Sequence, residues 1–329
     1  MREVGVMSGG ESARSDRRGF LKGTVGAAAA GIVGRQAVAH AASSAGASKV
    51  MRLGAPVFAK TQDPQELARA HRTLGYRAAY CPRVSLKDTA RIREIAEAYA
   101  KHDVAIAEVG RWCNLLEADP AKRKANLQKV TDGLALADAI GARCCVDIAG
   151  SFNEKVWYGP HPDNVSKRFF DATVENARRI IDAVKPKRAK LCLEMMGWAL
   201  PDSADAYAAL LEAVDRKAFA AHLDPCNLIN SPRRFYDNAR VINACFDKLG
   251  PSIVSCHAKD LTWDVEMNVH FREVTVGTGS MDYRTYLRRL AGLRRDVPLM
   301  LEHCPNAEEY DKGRRHLLAL SREMGLSFG

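Results

Sequence analysis

No Cys-x-x-Cys pair occurs among the nine cysteines, and an odd number cannot pair completely within one chain, so they do not describe a disulfide framework. No Gly-x-Gly-x-x-Gly follows the first predicted strand. Val276-Gly277-Thr278-Gly279-Ser280 has only Gly-x-Gly and lies in a long loop, which argues against dinucleotide binding. The weakly apolar run from Gly23 to Val33 is too short for a membrane span. No Pro-, Gly- or Ser-rich linker divides the chain beyond its N-terminal region, so residues 43–329 read as one domain. What is present is ample for a buried core: 329 residues, 47% of them hydrophobic.

The first 42 residues read as a targeting segment. Arg17-Arg18 precede Phe20-Leu21-Lys22, the apolar run follows, and Ala39-His40-Ala41 has the small-residue spacing of a signal-peptidase site. The segment resembles a Tat export signal. That resemblance implies the Tat machinery as a partner, a periplasmic destination, and folding before crossing, with any bound metal already acquired. Its removal lowers the formal net charge from +10 to +7. The remaining basic pairs, such as Arg288-Arg289 and Arg314-Arg315, have no interleaved aromatic residues. They read as solvated helical faces rather than a nucleic-acid surface.

Short apolar runs alternate with segments of helical spacing after residue 50. The predicted strands are 51–57, 76–81, 103–109, 142–149, 189–195, 219–224, 252–258 and 297–302. Between them, 85–101 places Ile92, Ile95, Ala96 and Tyr99 on one face, and 125–140 does the same with Leu127, Val130, Leu134 and Ala137. Eight such cycles over this length predict an α/β fold, a single-domain (β/α)8 TIM barrel.

Each of the last four predicted strands ends in a candidate ligand: Glu194, Asp224, His257 and Glu302. In a parallel barrel these tips converge on one rim. Three carboxylates gathered there would repel one another and become partly protonated, a conflict that a divalent cation resolves. Strand alternation turns Cys192 inward with Glu194, turns His222 inward with Asp224, and leaves Cys256 outward beside His257. His222 then lies one layer below the metal, as a hydrogen-bonded interior residue or as support for the site.

Leu193-Glu194, Leu223-Asp224-Pro225, His257-Ala258-Lys259-Asp260, Leu301-Glu302-His303 and the stretch Val276 to Tyr283 together resemble the xylose isomerase-like barrel superfamily of sugar isomerases and epimerases. The resemblance implies that Glu194, Asp224, His257 and Glu302 bind one divalent ion, manganese first, with magnesium, cobalt or zinc as alternatives. Glu194 and Glu302 would be catalytic, moving a proton at a carbon next to a carbonyl through an enediolate whose charge the metal offsets. The implied substrate is a small sugar or polyol. A dehydratase or β-eliminating lyase on a keto-sugar or 3-keto-glycoside is the alternative reaction. A non-catalytic periplasmic sugar-binding barrel is the alternative role. An endonuclease IV-like site ranks lower, because it needs a three-metal cluster rich in histidine and the chain has nine histidines, few at strand ends. The sequence is also compatible with a homo-oligomer.

Where the family often has His three residues after the metal Asp, this chain has Asn227, and where many members have Arg six residues after the metal His, it has Trp263. Both are candidate substrate contacts. Trp112 reads as the floor of a sugar site or as a packed rim aromatic, and His161 as a substrate contact or a plain turn residue. Lys259 and Asp260 contact substrate or pair with each other, while Glu273 reads as structural. Cys226 and Cys304, each two residues past a candidate ligand, approach the metal or simply fill space.

Overall fold

The computed structural model describes residues 51–329; the candidate export signal and its cleavage site lie outside the described residues. Eight parallel strands close into a barrel: β1 (Arg52–Gly54), β2 (Ala78–Tyr80), β3 (Ala105–Gly110), β4 (Cys144–Asp147), β5 (Lys190–Leu193), β6 (Phe219–Leu223), β7 (Ile253–Ala258) and, after the two-stranded hairpin of β8 (Asp260–Trp263) and β9 (Phe271–Val274), β10 (Pro298–Leu301). Seven barrel strands lie inside the runs expected for them, and the third extends one residue further, to Gly110. The hairpin was not expected.

The outer ring comprises α1 (Pro64–Thr73), α2 (Thr89–Lys101), α3 (Pro120–Ile140), α4 (Lys167–Val184), α5 (Ala204–Val214), α6 (Pro232–Tyr236), α7 (Asn238–Leu249), α8 (Tyr283–Ala291) and α9 (Ala307–Glu323). Their starts are written locally. In α3 the Asp119 carboxylate accepts from the backbone N–H of Ala121 and Lys122, Pro120 opens the first turn, and left-handed Gly141 ends the helix. In α4 the buried residues Phe169, Thr173, Val174, Ala177, Ile180 and Ile181 recur at helical spacing and face the barrel. Burying each large apolar side chain contributes roughly 1.5–3 kcal/mol. Among the described residues, no helix is long and apolar enough to cross a membrane.

Inside the barrel, small and medium side chains fill the lower part: Cys144, Val146, Cys192, Ala220 and Val254 on one side, and Ala78, Ala107 and Met300 on the other. Cys145 and Cys256 instead join the outer layer. Two register shifts break the simple alternation, one where Tyr80 pairs with Glu108 and one where His222 pairs with Ser255. Each gives its strand an extra residue, so Ala107 and Glu108, and likewise Val254 and Ser255, face the interior as neighbours. Polar side chains thereby enter the barrel just beneath its C-terminal rim.

Candidate metal centre

Glu194, Asp224, His257 and Glu302 follow or end β5, β6, β7 and β10, which are consecutive around the barrel. Their ligand atoms all lie within 4.8 Å of one another. The His257 Nδ1 is 3.3 Å from Glu194 Oε1, 3.6 Å from Asp224 Oδ2 and 2.9 Å from Glu302 Oε2. Donors bonded at about 2.1 Å to one ion stand about 3 Å apart when adjacent, so the spacing fits a divalent cation. The orphaned oxygens point the same way. Asp224 Oδ2 and Glu302 Oε2 are buried without a hydrogen bond, although Lys259 Nζ and His257 Nδ1 lie at ion-pair distance from them.

Lys259 is buried among these carboxylates, 2.9 Å from Asp224, 3.7 Å from Glu194, 3.6 Å from Glu302 and 3.5 Å from Glu273. Burial pushes its ammonium down, but the four carboxylates outweigh burial and hold it well above the ordinary lysine value. The same pairing runs in reverse on the acids. Burial works against the charged form of Asp224, yet Lys259 and His257 hold it far below the usual carboxylate range. Glu302 is lowered too, as His257 and Lys259 outweigh its burial. At Glu194 burial prevails and its affinity for a proton rises. The two glutamates thus differ in proton affinity.

The other expected contacts divide. The Asn227 amide donates to Glu194 Oε1 at 2.9 Å and to the Met195 carbonyl at 3.0 Å, while its oxygen accepts from Lys259 at 2.7 Å. It therefore holds the site together. Trp112 is partly exposed with its ring 6.4 Å from that of His257, beside the cluster. Trp263 instead lines a cavity of about 220 Å³ with Pro232, Phe235, Tyr236 and Phe271, which none of the four ligands lines. His161 caps a short turn by accepting from Asp163 N and packs on Phe152 within its own loop.

Lys259 and Asp260 do not pair with each other; each serves a different neighbour. Asp260 accepts from the backbone N–H of Gly277, Gly279 and Met281, so the glycine loop wraps a carboxylate of its own chain. A Cβ on Gly279 would sit 2.3 Å from Asp260 Oδ1, which explains the glycine. Glu273 lies against the site, accepting from His303 Nδ1 at 2.7 Å as well as facing Lys259. His303 itself, with φ of 56°, is held in the left-handed region 3.6 Å from Glu302 Oε2. Cys226 is buried and Cys304 half-buried, and burial raises both thiols, that of Cys304 to about 11, so both stay protonated at neutral pH.

Two residues of this region, Glu108 and Asp147, carried too weak a signal to be read from the sequence, and His303 was read only as part of the Leu301-Glu302-His303 motif, with no role of its own. Glu108 is a lone acid in the apolar run Ala105–Gly110, and Asp147 sits within another such run. Only the uninterrupted apolar flanks could have marked them. The Asp147 carboxylate accepts from the N–H groups of Cys113 and Ile148 and from the Cys113 thiol, tying the loop that carries Trp112 to β4. Burial, only partly offset by those bonds, pushes its carboxyl up to about 7.

An acid with a raised folded-state value stabilises the fold fully below its unfolded value and loses that contribution as pH rises through the folded one. Stability should therefore fall between about pH 4 and 7 by about 4 kcal/mol through this group. Asp147→Asn, which keeps the acceptor and places an amide against the thiol, should flatten that part of the profile. Urea unfolding across the window checks it, and an unchanged slope in the variant would remove Asp147 as the cause.

A family model for the xylose isomerase-like TIM barrel matches residues 67–320. The chain belongs to this family. A comparison with curated proteins gives no match. Among solved structures, a xylose isomerase-like TIM barrel protein from Mycobacterium smegmatis in complex with magnesium is 18% identical, with a TM-score of 0.56, 78% of this chain covered and 87% of that one. The 3-keto-D-glucoside 4-epimerase of E. coli is 14% identical, at TM-score 0.57 with 83% and 99% covered. Endonuclease IV from Thermus thermophilus is 16% identical, at TM-score 0.61 with the same coverage. A 3-keto-D-glucoside epimerase and an endonuclease match about equally, so these likenesses establish the fold, and the reaction has to be argued from the site.

Proposed function

We propose that this family member is a divalent-metal-dependent sugar isomerase or epimerase that moves a proton at a carbon next to a carbonyl. One observation carries the reading: Glu194 and Glu302 stand at the two ends of the four-strand arc, with Asp224 and His257 between them. A substrate seated over the arc has one carboxylate on each side. Glu194, the stronger base of the two, takes the proton, with Asn227 fixing its Oε1. Glu302 returns a proton from the other side or to the neighbouring carbon. Trp112 offers a stacking face for the sugar ring. An ion held by the four ligands would supply Lewis-acid stabilisation of the negative charge on substrate oxygens. Three carboxylates and one imidazole suit manganese or magnesium, and manganese is our first choice. The N-terminal segment supports Tat export and a periplasmic site of action.

A second reading, β-elimination from a keto-sugar or 3-keto-glycoside, is favoured by His303. It lies half-exposed beside Glu302, and the Glu273 hydrogen bond raises its proton affinity, as suits a donor to a leaving group. Incubating manganese-loaded protein in deuterium oxide with a panel of ketoses and 3-keto-glycosides separates the branches by mass spectrometry. Deuterium uptake with an unchanged molecular formula supports isomerisation, and loss of water or an aglycone supports elimination. Binding without exchange or turnover would leave a sugar-binding barrel instead.

A further inference from the structure

Resting on the metal reading above, we infer that Glu108 is a positioning residue that sets the orientation and tautomer of the His257 imidazole from inside the barrel. The carboxylate is only 1% exposed. Among the described residues no lysine or arginine pairs with it, and its partners at ion-pair distance are the His222 and His257 imidazoles. Its Oε2 lies 3.3 Å from His257 Nε2 and 3.2 Å from His222 Nε2, and its Oε1 accepts from the Ser255 hydroxyl at 3.2 Å.

An ionised carboxylate only accepts, so the neutral imidazole must carry its proton on Nε2, which leaves the Nδ1 lone pair facing Glu194, Asp224 and Glu302. A carboxylate behind a ligating histidine fixes the ring and raises its basicity in this way. The ring is braced further by the edge of His222, with centroids 4.2 Å apart. Each polar partner enters through a distortion of the barrel. The extra residue at Ala107 turns Glu108 inward, and the extra residue at Val254 accompanies Ser255.

Glu108, His222 and His257 also have three ligand atoms within 4.8 Å of one another, and neither ring nitrogen of His222 makes a hydrogen bond. A second ion there would need the Nε2 of His257 stripped of its proton. The two arrangements are mutually exclusive and predict different stoichiometries.

Calorimetric titration of the metal-stripped full chain with Mn2+ decides between them. Wild type should bind one ion. Glu108→Leu should bind it about 10–100-fold more weakly. Glu108→Gln, which keeps an acceptor oxygen, should lose less. The Co2+ absorption spectrum should change in both variants, whereas thermal unfolding in chelator should show no matching loss. Should the leucine variant fail to fold, the glutamine variant carries the comparison. Unaltered Mn2+ affinity and Co2+ spectrum in folded variants would overturn the inference and leave the metal reading standing. Two ions per wild-type chain would overturn it in favour of a second cation site. No binding by wild type would remove the metal reading, and this inference with it.

Discussion

Glu194→Gln and Glu302→Gln should each lower turnover and solvent-deuterium exchange by about 10²–10⁴-fold, the range expected for loss of a general acid or base. The double variant should be little worse than either single one, since residues that act as a unit are not additive. Both substitutions also remove a negative donor from the cluster, so Mn2+ affinity must be measured alongside rate. Assaying at saturating Mn2+ separates the two effects. The informative pattern is a rate loss that excess metal does not restore. If Glu302→Gln kept wild-type exchange while Glu194→Gln lost it, the two-carboxylate scheme would be wrong, and a one-base reaction such as elimination would take its place.

Lys259→Met should destabilise the metal-free protein by about 3–5 kcal/mol, because breaking a buried ion pair leaves uncompensated charge. Asp224, Glu194, Glu302 and Glu273 all lie within 4.0 Å of that ammonium, so its loss strands several acids together. Saturating Mn2+ should largely restore stability, since a divalent ion replaces the missing charge. The gain in melting temperature on adding metal should accordingly be greater for the variant than for wild type. Unfolding in chelator and in Mn2+ provides the comparison. Equal destabilisation under both conditions would mean that Lys259 and the ion do not share these carboxylates.

The strand tips were legible because barrel strands are apolar almost to their ends, so a single acid or imidazole closing such a run stands out. Glu194, Asp224, His257 and Glu302 each have that signature, and the parallel pairing brings them to one rim. The hairpin of β8 and β9 had no comparable signal. Its strands are only partly buried and carry Asp, Thr, Arg and Glu among their apolar residues, so no clean alternation marks them. Glu273 was read as structural for the same reason, and only the folded hairpin brings it to Lys259. Asn227 and Trp263 were grouped as substrate contacts by their offsets from ligands. The short 3-10 turn at Pro225–Leu228 curls Asn227 back onto Glu194, while β8 carries Trp263 out toward α6.

By itself the sequence determined the alternating strands and helices, the single barrel and the residue types available at its rim, because periodicity and turn chemistry are local properties of the chain. Tertiary structure decided which side chains meet beneath that rim. A β-bulge adds one residue to one strand of a pair, and whether Glu108 points into the barrel or out of it depends on how β3 registers against β2. Register is a relation between two strands, so neither strand's residues contain it alone.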